Sequence, residues 1–287
     1  MLWFILSLLT AITHAARAAV SKKLLQNVDE YLVAWATSFF ALPFMIITLF
    51  FFGLPKIDNV FWIALSMGVL LNTITTILYF KSIKVSPLSL TVPFLTFTPL
   101  FLLITSPIML GEFPSLLGVI GILLIVFGAY VLNIQTLHKG FLAPFKAIFK
   151  EKGSVLMLIV ALIFSIAANI DKIAILHSNP IFYILTFHIF LTLIFTSIIH
   201  FKSKDKIEKI KRNYKGLILI GFLFAVMIMA QMIAVKLTLV PYVISIKRTT
   251  AIFSVIFGYL FFKEKNFKQC LLGAIIMVIG VFLIGLF

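Results

Sequence analysis

The chain has 287 residues, of which 62% are hydrophobic and 11% charged, with a mean hydropathy of +1.20. Soluble globular domains contain about 45–50% apolar and about 25% charged residues, so the composition excludes a soluble domain. Disorder is excluded because it requires low hydrophobicity. The net charge of +15 does not indicate nucleic-acid binding, since most bases lie in short breaks between long apolar runs. A polytopic helical membrane protein is predicted.

The sequence contains ten apolar runs with lengths near the 20 helical residues that cross about 30 Å of hydrocarbon. These runs lack the period of two expected of barrel strands. The first run starts at Met1 without a basic n-region or cleavage site, so it is predicted to be a retained helix. The predicted spans are 2–21, 31–53, 60–80, 87–110, 115–133, 155–176, 181–201, 216–238, 241–262 and 268–286.

The two halves of the chain repeat one another. Three residues of the first half recur 152 positions later in the second, namely Glu112, Gly121 and Gly128 as Glu264, Gly273 and Gly280. Because each half has an odd number of spans, the second half is predicted to be inverted, as in many secondary transporters. We expect a five-helix repeat at 1–133, a basic linker at 134–153 with a short interfacial helix, and a second five-helix repeat at 154–287.

Basic residues concentrate on one side of the predicted membrane protein. The odd-numbered loops carry eighteen Lys and Arg and the even-numbered loops carry two. Since basic loops face the cytoplasm, we expect loops 138–152 and 202–215 there, with both termini on the opposite face of the plasma membrane.

Four cations lie within predicted spans, namely Arg17, Lys172, Lys247 and Arg248. A charge at this depth costs roughly 2.5–3.5 kcal/mol and is a functional candidate by default. Lys247 and Arg248 have no acid nearby in sequence, so they predict anion binding, with Lys172 as a third cation close to them. The alternative is that their long side chains reach the surface or bond to carbonyls. Asp171 is predicted to form a structural ion pair with a cation on another helix, such as Lys247 or Arg248.

Other polar groups within the spans extend the candidate substrate site. Arg17 is expected to line one approach to it. His14, Asn72 and Gln231 are further candidates, although such groups often make only interhelical hydrogen bonds. The fourth span has four prolines in 21 residues, which predict a kinked helix that either lines a cavity or serves only in packing.

Motifs for catalysis and metal binding are missing from the sequence. Cys270 is the only cysteine, which excludes an intrachain disulfide and a thiolate metal site. The sequence has no HExxH motif, nucleophile elbow or repeated Asp motif. We therefore predict a protein that is not an enzyme, without cofactor or metal. Its expected partners are a small-molecule substrate and the bilayer, as a monomer or homodimer.

The chain resembles the drug/metabolite transporter superfamily, and within it the EamA-type ten-helix group. The resemblance rests on the internal repeat and on Leu110-Gly111-Glu112 and Phe262-Lys263-Glu264, each followed by a glycine-rich span. It implies two inverted five-helix repeats that work by alternating access. It also implies a central cavity lined by spans one, three, four, six, eight and nine. Members are usually drawn with both termini in the cytoplasm, opposite to the orientation that the charges predict here.

A narrower resemblance lies in the ninth span. Ile246-Lys247-Arg248-Thr249-Thr250 is similar to the Lys-Arg pair of plant triose-phosphate translocators, which binds the substrate's phosphate. The resemblance implies that Lys247 and Arg248 are anion ligands. Those translocators also have a lysine three residues before a proline in span four, where this chain has Thr96 before Pro99. Thr96 is therefore a candidate at that position, and phosphate specificity is not implied.

Together these features predict a secondary-active or facilitative transporter that works by alternating access. The substrate is expected to be a small anionic or zwitterionic metabolite, such as an organic acid, a phosphorylated metabolite or an amino acid. Two alternatives remain open at this point: a lipid-headgroup flippase of the same fold, and an integral-membrane enzyme that acts on a lipid-linked substrate.

Overall fold

The computed structural model describes residues 1–85, 92–135, 152–203, 205–262 and 267–285. These residues form twelve α-helices and one 3-10 helix, with no strand among them. Most of the predicted linker, with its interfacial helix, lies outside the described residues, as does Glu264 of the second Gly-Glu motif.

The helices group into ten spans. The first repeat contains α1 (Leu2–Leu24), α2 (Glu30–Phe39) with α3 (Leu42–Phe52) as two halves of one span, α4 (Asn59–Val85), a 3-10 helix (Val92–Phe97) leading into α5 (Thr98–Leu110), and α6 (Leu116–Gln135). The second repeat contains α7 (Lys152–Leu176), α8 (Pro180–Lys202), α9 (Lys206–Leu237), α10 (Val240–Lys247) followed by α11 (Thr250–Phe262), and α12 (Phe267–Gly285). Six spans are long and apolar enough to cross a membrane, and four shorter apolar helices complete the ten. The all-α ten-helix fold is thus confirmed.

Local sequence signals set several helix ends. The side chain of Asp29 accepts a hydrogen bond from the backbone N–H of Leu32 (3.0 Å) and caps α2, while Asn179 caps α8 in the same way through Phe182 (2.7 Å). Such side-chain oxygens satisfy backbone donors that the first turn of a helix leaves open. At the other end of a helix, Gly111 stops α5 in the left-handed conformation (φ 66°), which glycine adopts without steric cost.

The internal repeat of the sequence also appears in the packing of the helices, which is approximately symmetric. A Cβ atom on Gly121 of α6 would lie 2.7 Å from the carbonyl oxygen of Gly280 of α12, and one on Gly128 would lie 2.7 Å from that of Gly273. Replacing each glycine by its counterpart in the other repeat converts one contact into the other, as an approximate twofold axis requires. Two further helix pairs match in the same way, since α1 packs on α9 as α7 packs on α4.

The fourth span of the first repeat is irregular, as its prolines predict. Residues 92–97 form a 3-10 helix before α5 begins. Pro99 has no N–H to donate to the carbonyl of Leu95, and the Thr98 hydroxyl donates to that carbonyl instead (2.9 Å). The freed backbone group is therefore satisfied within the bundle, which a membrane protein requires.

The glycine contacts between α6 and α12 generate a first prediction. Gly121→Ala places a methyl group against backbone atoms, so the two helices must separate. Overpacking of this kind typically costs about 1–3 kcal/mol, and we expect a lower melting temperature for the purified protein. Leu123→Ala on the exposed face of the same helix is the control and should change the melting temperature little. Equal melting temperatures for Gly121→Ala and the parent protein would contradict the close contact.

A second prediction concerns orientation and uses cysteines placed on opposite faces in a Cys270→Ala background. Glu208 and Lys56 are both exposed. Glu208 lies in the first turn of α9, within the segment 202–215 predicted as the seventh loop, and Lys56 lies in the second loop. Glu208→Cys should resist a membrane-impermeant maleimide in intact cells, because its basic loop is predicted to be cytoplasmic. Lys56→Cys should be labelled. The reverse pattern would place the termini in the cytoplasm. Ser203 is a poor probe, since it is buried and donates to Asp29 (2.7 Å).

Candidate functional site

The ninth span breaks at the Lys-Arg pair. α10 ends at Lys247 and α11 begins at Thr250. Across the break, backbone hydrogen bonds join residues that are three positions apart instead of four. The N–H of Arg248 donates to the carbonyl of Ser245 (2.9 Å), and the N–H of Thr249 donates to that of Ile246 (3.0 Å). This tighter winding is typical of 3-10 geometry. It occurs at the place in the second repeat that corresponds to the 3-10 helix of the first, so both repeats loosen their fourth helix at corresponding positions.

The hydroxyls that follow the break hold it in place. The Thr250 hydroxyl lies 2.6 Å from the carbonyl oxygen of Lys247, and it is also near two groups of α1, the carbonyl of Ala11 (3.3 Å) and Nδ1 of His14 (3.4 Å). The Thr249 hydroxyl donates to the carbonyl of Ile246 (2.7 Å). The break is therefore tied to α1, which carries two of the candidate residues.

Three cations and one histidine gather around this break. The positive charges of Arg17, Lys247 and Arg248 all interact electrostatically with the ring of His14. Those of Arg17 and Arg248 also repel the ammonium group of Lys247. All four side chains are partly accessible although they lie among the helices. Among the described residues, no acid is within ion-pair distance of any of the three cations. The third cation of the cluster is Arg17 of α1, which the sequence placed on an approach to the site.

Neutral groups position two of these cations. The Lys247 ammonium donates to Oε1 of Gln231 on α9 (2.7 Å), so Gln231 fixes the amine without neutralising it. The Arg17 guanidinium lies over the ring of Phe224, 5.4 Å from its centroid, within the range of a cation–π contact. The opposite neighbour of Phe224 is His188, whose ring meets it edge-on at 4.9 Å. Phe224 had no distinguishing signal among the 32 phenylalanines of the sequence.

The two arginines keep unused donors. Nε of Arg17 and Nε of Arg248 are both buried, and neither has a hydrogen-bond partner within the described part of the chain. An unsatisfied buried donor costs about 1–3 kcal/mol, and more when the group is charged. Paired donors on two guanidinium groups suit the oxygens of a carboxylate or phosphate. The cluster can therefore bind an anion with groups that the protein itself leaves unpaired.

Asp171 does not form the predicted ion pair. One of its carboxylate oxygens accepts a hydrogen bond from the Tyr183 hydroxyl of α8 (2.5 Å), and within the described residues no cation contacts it. Lys247 acts on it only at longer range. Gly68 of α4 leaves room for the pair, because a Cβ there would lie 3.2 Å from the Tyr183 oxygen. The carboxylate is held by a neutral donor instead of by a cation.

Lys172 also lies elsewhere than predicted. Its ammonium donates to one carboxylate oxygen of Glu112, in a short buried contact, and to the carbonyl of Thr238 (2.6 Å). The other oxygen of Glu112 accepts from the backbone N–H of Val240 (2.8 Å), at the start of α10. Glu112 thus joins α7 to the first turn of α10 at the end of α5. Its recurrence in both halves marked it as part of the repeat, but its partner, 60 positions away, carried no signal.

Two further candidates lie on other elements of the bundle. Thr96 is buried on the 3-10 helix of the fourth span. Asn72 is half-buried on α4, and its amide donates to the carbonyl of Gly68 on the same helix (3.0 Å). Their part in substrate binding stays a prediction.

The geometry defines a class of protein: a multi-pass helical membrane protein made of two inverted repeats, with partly buried cations where a broken helix meets the neighbouring repeat. Residues 1–134 and 151–286 match the EamA-like transporter family, and the chain belongs to that family. Its members are membrane transporters of small molecules and not typically enzymes.

The solved structures show the same fold. One of them, described only as a crystal structure of a protein, aligns with a TM-score of 0.74 over 99% of this chain and 96% of its own, at 14% identity. Identity this low supports a shared fold alone. No curated protein matches the chain significantly.

The Glu112 contacts generate a third prediction. Glu112→Gln removes the charge that balances Lys172 and leaves an amide that cannot accept from Lys172 and Val240 together. Losing one partner of a buried ion pair costs about 3–5 kcal/mol, so the free energy of unfolding in mixed detergent should fall by that amount. Adding Lys172→Met should restore part of the loss, because it removes the unpaired charge.

The control is Lys209→Ala, which breaks a half-exposed pair with Asp29 and should cost less than about 1 kcal/mol. If Glu112→Gln unfolded as the parent protein does, the buried pair would not contribute to stability.

Proposed function

We propose that the protein is a secondary-active or facilitative transporter that moves a small anionic or zwitterionic metabolite by alternating access. Family membership supports transport of a small molecule across the membrane. The negative charge proposed for the substrate is inferred from the cluster of Arg17, Lys247 and Arg248, which no described acid contacts.

The electrostatics favour an anion at this place. Three like charges among apolar helices repel one another, and each has lost hydration. A carboxylate or phosphate that enters the cluster reduces the repulsion between the cations, and its oxygens replace the lost hydration with hydrogen bonds. Arg17 and Arg248 offer planar sets of donors, whereas Lys247, held by Gln231, supplies a compact charge. His14 adds a ring nitrogen on the same face of α1.

The helix breaks support a change of access around this cluster. The fourth helix of each repeat is loosened at corresponding positions along its length, beside Thr96 in the first repeat and beside Lys247 in the second. Discontinuous helices at a repeat interface commonly form the substrate site of transporters with inverted repeats. The 3-10 segments also provide short stretches where the halves of a helix change direction while the rest of the bundle moves as rigid bodies.

The fourth prediction tests the anion site with a substitution that keeps the charge. Arg248→Lys retains a cation but loses the planar pair of donors. Since a charge-assisted hydrogen bond contributes about 1.5–3 kcal/mol, we expect affinity for the substrate to fall about 10- to 150-fold. Arg248→Ala should lower it further.

The measurement has two stages. A thermal-shift screen of the purified protein against carboxylates, phosphate esters and amino acids identifies a ligand, and flux of that ligand into proteoliposomes is then measured per folded protein. Lys236→Arg, an exposed change near the end of α9, is the control and should leave flux unchanged. Normal affinity and rate in Arg248→Lys would remove Arg248 from the site. A screen in which no anion or zwitterion shifts the melting temperature or crosses the membrane would refute the proposed substrate class.

A further inference from the structure

A groove of about 1080 Å³ lies between α1, α9 and α11, apart from the cationic cluster. Neither Arg17, Lys247 nor Arg248 lines it. Its volume is at the upper limit of ordinary ligand pockets, which hold about 300–1,000 Å³. The small side chains of Ala16 and Ala19 on α1 leave space in its lining. Where Gly216 lines it, α1 and α9 are in close contact, since a Cβ there would lie 2.8 Å from a methyl group of Leu24. Its helices belong to spans one, eight and nine, which the family resemblance also places around the transport cavity, but its lining contains none of the residues of the candidate transport site.

The chemistry of the groove changes along its length. The part within the spans is apolar and is lined by side chains such as Val20, Leu219 and Phe257, and most of the accessible lining is apolar. The part at the ends of the spans is basic, with Lys23 just beyond the first apolar window and Arg212 and Lys215 on the polar first turns of α9. The groove therefore joins an apolar channel at hydrocarbon depth to a cationic mouth at headgroup depth.

The cations at this mouth are unopposed. Within the described part of the chain, Lys23, Arg212 and Lys215 take part in no ion pair. Lys215 has one contact of its own, with the ring of the adjacent Tyr214 (6.0 Å from its centroid). The neighbouring acids are paired with another base or line another pocket: Asp29 pairs with Lys209, and Asp205 and Glu208 line a different pocket. The mouth thus has net positive charge and needs an anionic partner.

We infer that this groove binds one anionic phospholipid, with the phosphate of the headgroup at Lys23, Arg212 and Lys215 and an acyl chain along Val20, Leu219 and Phe257. Basic pockets between transmembrane helices at the membrane surface are suited to anionic headgroups. A soluble anion matches only the basic end and leaves the apolar length unfilled. Leu219 is 44% exposed, so the apolar wall is open where bilayer lipid can reach it. This site goes beyond the proposed transport function and does not depend on it.

The fifth prediction tests the site by native mass spectrometry of the full-length protein with two lipids of the same acyl chains, phosphatidylglycerol and phosphatidylcholine. The parent protein should retain one phosphatidylglycerol about 100-fold more tightly than phosphatidylcholine. Each basic residue near a headgroup contributes about fivefold. The triple variant Lys23→Ala, Arg212→Ala, Lys215→Ala should therefore lose about 100-fold in affinity for phosphatidylglycerol and little for phosphatidylcholine.

A matched control removes the same number of charges outside the groove, at Lys56, Lys206 and Lys211, and should stay within about threefold of the parent protein. A steric variant, Ala19→Phe, keeps every charge but fills the apolar wall, and it should also weaken phosphatidylglycerol binding. Melting temperatures verify folding. If the triple variant does not fold, Arg212→Ala alone replaces it, with an expected loss of about fivefold.

Three outcomes would overturn the inference. The parent protein could bind both lipids equally, which would exclude recognition of the anionic headgroup. The matched control could lose as much affinity as the groove variant, which would mean that diffuse surface charge attracts the lipid. Glycerol 3-phosphate could displace phosphatidylglycerol at equal concentration, which would make the groove a site for soluble anions. Loss confined to the groove variants, without competition by glycerol 3-phosphate, would support it.

Discussion

Cations inside an apolar helix bundle are the constraint around which this structure is arranged. Arg17, Lys247 and Arg248 act on one another among helices of low polarity, where each charge has lost its hydration. Neutral groups contact two of these cations: Gln231 accepts a hydrogen bond from Lys247, and the ring of Phe224 lies under Arg17. These contacts fix the cations without neutralising them. The remaining positive potential is the basis for the anionic substrate proposed above.

The repeat explains how such a cluster is held. Backbone contact between α6 and α12 brings the two halves together through paired glycines. The same symmetry relates the loosened fourth helix of one half to that of the other. The repeats are alike in backbone but not in charge. The break in the second repeat carries Lys247 and Arg248, whereas the corresponding 3-10 helix of the first carries Thr96. An approximately symmetric scaffold thus holds an asymmetric site.

Sequence reasoning predicted the scaffold well because the bilayer imposes simple rules. Apolar length gave the spans, and recurring Glu112, Gly121 and Gly128 gave the repeat. The grouping of the cations was predicted less well. Lys247 and Arg248 were singled out because charge within a span is rare, but Lys172 was placed with them and Arg17 on an approach, whereas the structure places Arg17 with the pair and Lys172 on Glu112. Whether a cation within a span forms an ion pair depends on residues far along the chain, such as Glu112 for Lys172. No local sequence pattern predicts such a distant partner.

The contacts of Glu112 hold one end of α10, so a rotation of this short helix would move its other end. This helix has eight residues, about 12 Å at 1.5 Å per residue. One end is held where Glu112 accepts from Val240, and the other end carries Lys247. Rotation of α10 by about 10° around the held end would displace Lys247 by about 2 Å, enough to break or make a hydrogen bond. A small angular change at the edge of the bundle is thereby converted into a shift of positive charge at its centre.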